Sequence, residues 1–212
     1  MNKYYYITLD NSLYTTPVII PNTYITEMLE YDSVSISCKN ILVDNLPSHI
    51  KNLMLDFEFN ETISNLPHML ETLYLSDKFN KPIPYLPIRL KHLSIGVDFN
   101  QPLDNLPLYL ETLELNCANF NHTLSNLPAS LKKFIKGGLF SRHINDLPDT
   151  VEYIDIHNNT NFMDNETIAN DKLKLPKNIK KITIYNYNYN CGNYNVGFLV
   201  KKYNCNITIK TK

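Results

Sequence analysis

The chain has 212 residues, 43% of them hydrophobic, and a formal net charge of −1 at neutral pH. There are apolar side chains enough for a core but no basic excess to grip a phosphate backbone, so nucleic acid is not expected as a partner. Five glycines, four cysteines without CxxC spacing, and no GxSxG, HExxH or P-loop pattern point away from a phosphate cradle, a zinc site, a disulfide framework or an activated nucleophile.

The N-terminal stretch MNKYYYITLDNS lacks the apolar run of a signal peptide, and no segment approaches the ~18 apolar residues of a membrane span. A cytoplasmic protein without a membrane partner or cofactor is expected, with Cys38, Cys117, Cys191 and Cys205 as reduced thiols. Within residues 1–45, the runs 4–9 and 34–36 read as strands. They are expected to form a cap over the open edge of the periodic region that begins at residue 46.

In that region Leu-Pro recurs at Leu46, Leu66, Leu86, Leu106, Leu127, Leu147 and Leu175, and the copies share the frame LPxxLxxLxLxxxFNxxI. Periodicity of this length marks a solenoid. Leu53/Leu55, Leu73/Leu75, Leu93/Ile95, Leu113/Leu115, Ile154/Ile156 and Ile182/Ile184 alternate as a strand with one face inward. About twenty residues leave room for one strand and a return path but hardly for a crossover helix, and the recurring prolines disfavour one further. The predicted fold is therefore a mainly β solenoid of parallel strands, like a leucine-rich repeat, with few or no α-helices. Residues 46–185 form its seven repeats, and 186–212, with the tract YNYNYNCGNYN and a final CNITIK, form a C-terminal cap.

Several columns run through the repeats. Phe59, Phe79, Phe99, Phe120 and Phe140 predict an interior aromatic spine, and the following Asn60, Asn80, Asn100 and Asn121 predict inward side chains bonded to turn backbone. Asn60 and Asn121 head Asn-x-Thr sequons, and an inward position would bar glycosylation. The residue after the first strand leucine alternates in sign, through Lys51, Glu71, Lys91, Glu111, Lys132, Glu152 and Lys180, which predicts attraction between adjacent strands. The fifth copy departs from the frame: Ser141 replaces the asparagine, and Lys136 stands at an apolar strand position before Gly137-Gly138. A bulge or bend is expected there.

The frame LPxxLxxLxLxxxFNxPL, with Lys81-Pro82-Ile83 and Gln101-Pro102-Leu103 in phase, resembles the FNIP repeat, a short relative of leucine-rich repeats found in proteins of social amoebae and of giant viruses that infect amoebae. The resemblance is strong over 46–145 and weaker to about 185. It implies a leucine-rich-repeat-like fold and a protein-interaction role. Some relatives carry an N-terminal F-box, from which the strand-rich first 45 residues of this chain depart.

Outward strand positions fall in two columns, Asn52, Thr72, His92, Thr112, Lys133 and Tyr153, then Met54, Tyr74, Ser94, Glu114, Ile135 and Asp155. These twelve residues are the candidate partner-binding face, expected to be concave, with Tyr74, Tyr153, Met54 and Ile135 as anchors for a protein partner. His92 and His157 are three repeats apart and cannot share a metal. His49, His68, His122 and His143 lie outside the strands. A second reading is a structural component that self-associates through its caps. A third, a polysaccharide-acting β-helix enzyme, needs gathered carboxylates, whereas Glu114 and Asp155 are two repeats apart.

Overall fold

The structure, a computed structural model, describes residues 4–8, 17–56, 58–83, 85–140, 144–158, 174–186 and 204–211. Ser141, His143, Cys191 and most of the Tyr/Asn-rich tract lie outside them. In chain order the elements are β1 (Tyr4–Thr8), β2 (Val18–Ile19), the short helix α1 (Asn22–Glu27) with a 3₁₀ turn at Met28–Glu30, β3 (Ser33–Ser37) and β4 (Ile41–Leu42). Each Leu-Pro copy then supplies one strand: β5 (Asn52–Asp56), β6 (Thr72–Tyr74), β7 (His92–Ile95), β8 (Thr112–Leu115), β9 (Lys133–Lys136), β10 (Tyr153–Asn158) and β11 (Lys181–Asn186), and β12 (Asn206–Thr211) comes last.

Ten of these strands form one parallel sheet in the order β1-β3-β5-β6-β7-β8-β9-β10-β11-β12, while β2 and β4 pair beside it. At ~4.8 Å between strands the sheet is about 43 Å across. The molecule is a parallel β solenoid, as the repeat predicts.

Two local rules shape each coil. Proline at the second frame position biases the residue before it toward extended backbone, and its carbonyl accepts from the residue three further on, closing a turn before the strand. Such bonds run from Ile50 to Pro47, Leu70 to Pro67, Leu90 to Pro87, Leu110 to Pro107, Leu131 to Pro128, Val151 to Pro148 and Ile179 to Pro176, at 3.0–3.3 Å. At the turn's exit, two successive N–H groups share one carbonyl of the preceding coil. Glu71 and Thr72 both donate to Lys51, Lys91 and His92 to Glu71, Glu111 and Thr112 to Lys91, and Lys180 and Lys181 to Glu152. The alternating charge column is thus also a backbone ladder. Along it Lys91–Glu71 (3.3 Å), Lys132–Glu152 (3.9 Å) and Lys180–Glu152 (2.7 Å) form ion pairs. The Lys180 ammonium, hydrogen-bonded to Glu152, holds that carboxyl below its ordinary range.

Inward residues stack in rows. Leu53, Leu73, Leu93, Leu113, Phe134, Ile154 and Ile182 make one, and all are buried. Phe59, Phe79, Phe99 and Phe120 stack nearly parallel, 6.1–6.5 Å between centroids with planes 7–12° apart. Phe140 tilts 37° from Phe120. Phe134 stands where other copies have leucine or isoleucine and meets Phe140 edge-on at 6.1 Å and 69°.

The strand of the fifth copy is not bulged. Leu115 and Ile156 both align with Lys136 in an unbroken register. Lys136 is 2% exposed, its stem in the apolar row and its Nζ donating to the Phe140 carbonyl, 5.8 Å from that ring. Burial pulls its ammonium down to about 8. Gly137 answers a close approach instead of a bend, since a Cβ there would lie 2.4 Å from Asn116 Oδ1.

The asparagine column also corrects the expectation of inward side chains. Asn60 and Asn100 are half-buried, and Asn80 and Asn121 are exposed. Their side chains run along the stack: Asn80 N–H donates to Asn60 Oδ1 (2.9 Å), Asn100 N–H to Asn80 Oδ1 (2.9 Å) and Asn121 N–H to Asn100 Oδ1 (3.0 Å). Asn60, Asn80 and Asn100 thus each satisfy a backbone donor of the next coil at the surface, where alternation places the neighbour of an inward phenylalanine.

Residues before the first copy join the stack directly. Tyr4, Tyr6 and Thr8 align with Ser33, Ser35 and Ser37, and Ser33 with Asn52. The Tyr5 hydroxyl donates to the Glu27 carboxylate of α1, an acceptor that pushes the phenol up to about 12, and its ring lies 5.2 Å from Tyr31.

Candidate functional site

The parallel register brings the two outward columns together as adjacent rows on the solvent side of the sheet. One runs Asn52, Thr72, His92, Thr112, Lys133, Tyr153, and the other Met54, Tyr74, Ser94, Glu114, Ile135, Asp155. Eleven of the twelve are half-buried, shielded by neighbours in their own rows, and Tyr153 is exposed.

At the centre, the Tyr74 and His92 rings meet at 5.2 Å and 47°. Burial raises the Tyr74 phenol above its ordinary range, and burial lowers the His92 imidazole below its own, so the histidine is neutral at pH 7. His92 Nε2 has no hydrogen-bond partner among the described residues. An unpaired buried ring nitrogen carries a desolvation cost that an incoming donor or acceptor would remove. Further along, Lys133 pairs with Asp155 at 2.6 Å, so these charges neutralise each other within the face. Asn52 Nδ2 donates to Ser33 Oγ (3.0 Å). The face is therefore close to neutral, with aromatic and polar groups side by side.

Two features extend beyond the residues predicted from the repeats. Tyr4 and Tyr6, 36% and 71% exposed, continue the same rows from β1, and their rings lie 6.1 Å apart. The alternation of outward Tyr4 and Tyr6 with inward Ile7 is readable in the sequence, but it stands outside the Leu-Pro period. The second feature is at the turns. Ile88, Leu108 and Tyr109 are 62%, 75% and 63% exposed, and Tyr85 is 86% exposed. A groove of about 310 Å³ lies there, lined by Glu71, Ile88, Arg89, Lys91, Tyr109 and Glu111.

Two of the other histidines are in structural use. His49 Nε2 bonds the Tyr31 carbonyl (2.9 Å) and His122 Nε2 the Asn100 carbonyl (3.2 Å). Burial pushes the Cys117 thiol up to about 12 and raises that of Cys205. Among the described residues no three His, Cys, Asp or Glu side chains are grouped to hold a metal ion, and no helix is long and apolar enough to cross a membrane.

One strand per turn, short corners and side chains stacked in rows define a β-solenoid repeat protein. The FNIP Repeat family model matches residues 79–118, which span β7 and β8 and two Phe-Asn pairs. The chain accordingly carries the FNIP repeat at residues 79–118. No curated protein matches it.

Proposed function

We propose that the chain is a non-enzymatic protein-interaction module whose binding surface is the outer face of the ten-stranded sheet. One observation carries the reading: the unbroken register sets Tyr74, His92 and Tyr153 in fixed rows among short polar side chains, with His92 Nε2 unpartnered among the described residues. Aromatic side chains held rigidly lose little entropy on binding and act as anchors, while polar neighbours set specificity. The neutral face suits a protein partner with an apolar or aromatic centre better than a polyanion.

The test is the double variant Tyr74→Ala/Tyr153→Ala. Because neither ring is fully buried, stability should fall by no more than about 1 kcal/mol for each change. Affinity capture from cells that express the chain, run beside wild type, is expected to lose the specific co-purifying protein. Unchanged capture by a folded double variant rejects this face.

A further inference from the structure

The two residues inside the LPxxL turn are exposed or half-buried and mostly polar in five of the seven copies: Ser48-His49, His68-Met69, Ala129-Ser130, Asp149-Thr150 and Lys177-Asn178. The third and fourth copies carry Ile88-Arg89 and Leu108-Tyr109 instead, and Tyr85 stands before Leu-Pro where the other copies have Asn45, Asn65, Asn105, Asn126, Asp146 and Lys174. These departures fall on neighbouring coils and so make one apolar patch beside the groove. Isolated exposed apolar residues are ordinary, but a contiguous patch on an otherwise polar corner marks an interface.

The charges around the patch indicate what covers it. Lys91 is paired with Glu71 at 3.3 Å. Arg89 and Glu111, both exposed, have no ion-pair or hydrogen-bonding side-chain partner among the described residues. They belong to successive copies and line the same groove as Ile88 and Tyr109. A surface with one unpaired cation and one unpaired anion beside shared apolar residues is complementary to itself under a two-fold rotation, in which residue i meets j and j meets i. We propose that this corner is a self-association surface for a second copy of the chain, with Ile88, Leu108 and Tyr109 packed at its centre and Arg89 of each copy against Glu111 of the other. The apolar residues of the corner lie in the turns and not among those of the sheet face, so the failure of the dimer would leave the interaction-module reading standing.

Charge reversal distinguishes this arrangement from any other occupant. Sedimentation velocity over a concentration series should show a monomer–dimer equilibrium for wild type. Arg89→Glu alone, and Glu111→Arg alone, should each raise the dimer dissociation constant at least about tenfold by setting like charges together twice. An equimolar mixture of the two variants should restore association, because the carboxylate introduced in one then faces the guanidinium introduced in the other. Restoration also proves that both variants are folded. Leu108→Ser, at a residue 75% exposed, should weaken the dimer without lowering the melting temperature. A wild type that stays monomeric at every concentration overturns the proposal and leaves the corner to a foreign partner. Dimers indifferent to both reversals, or variants that fail to associate when mixed, also overturn it.

Discussion

Replacing Lys136 with methionine tests the cost of keeping a cation in the core. Lys136 is 2% exposed, and burial lowers its ammonium from 10.5 to about 8. At ~1.4 kcal/mol per tenfold change in proton affinity, that displacement corresponds to about 3 kcal/mol of destabilisation when the group is charged in both folded and unfolded chains. Methionine has a similar stem and fills the same row between Leu115 and Ile156. It gives up the Nζ bond to the Phe140 carbonyl, roughly 1 kcal/mol. The net gain at pH 7 is about 2 kcal/mol, or roughly 4–8 °C in melting temperature for a chain of this size. The sign with pH is fixed by linkage. Between about 8 and 10.5 the folded chain has released this proton and the unfolded chain has not, so wild-type stability rises with pH through that window and the advantage of Lys136→Met shrinks. Melting both proteins at pH 7, 8, 9 and 10, followed by circular dichroism, reads the difference directly. A difference that stays constant over that range, or a methionine variant less stable at pH 7, would refute the reasoning.

Gly96→Ala should destabilise by about 1–3 kcal/mol, because its Cβ would lie 2.4 Å from the Ser76 carbonyl oxygen and 2.5 Å from Asp77 Cα, both backbone atoms that cannot swing aside. An unchanged urea midpoint would contradict that contact. Asn80→Ala removes the acceptor of the Asn100 N–H and should cost about 1 kcal/mol, whereas Asn80→Asp keeps an acceptor and should cost less; equal losses would argue against the ladder. Cys117, its thiol pushed up to about 12 by burial, should resist iodoacetamide at pH 8 in the native protein and react on unfolding, as read by mass spectrometry of its peptide. Rapid native labelling would show that the site opens.

What can be read from the chain is set by the range of each interaction. Strand position and facing depend on alternation over a few residues, so LxxLxL locates β5 to β11, and the sign pattern from Lys51 to Lys180 anticipates the ion pairs seen at Glu71 and Glu152. The pairing of β1 and β12 into the same sheet is not legible. Tyr4 aligns with Ser33 and Lys181 with Asn206, intervals longer than the Leu-Pro period, and only the fold shows that the return path absorbs the extra residues. The asparagines escape prediction because a column beside a buried phenylalanine need not share its burial. Lys136 escapes it because a charged residue at a core position can either bend the strand or send its head group to a carbonyl; the Phe140 carbonyl, four residues on, favours the second. The corner patch lies outside any reasoning confined to the strands, though the loss of polar residues from two columns, at Tyr85 in one and at Ile88 and Leu108 in the other, is a readable signal.

The regular columns do not by themselves choose this stack. A copy that skipped its neighbour and stacked on the next but one would satisfy the backbone ladder, the phenylalanine spine and the asparagine bonds equally well. Mispairing of similar units is a characteristic failure of repeat proteins. The alternating column opposes it, since a skip would set Lys51 against Lys91 and Glu71 against Glu111, like charges directly across adjacent strands. Irregular residues oppose it too. Gly96 fits against the Ser76 backbone and Gly137 against Asn116, and each contact exists between only one pair of coils. Identical positions therefore stabilise stacking in general, and the positions that differ specify which coil stacks on which. The same division frees the outward rows and the turns to vary, because a change at Tyr74 or Leu108 alters what the surface can bind while the inward rows keep the stack.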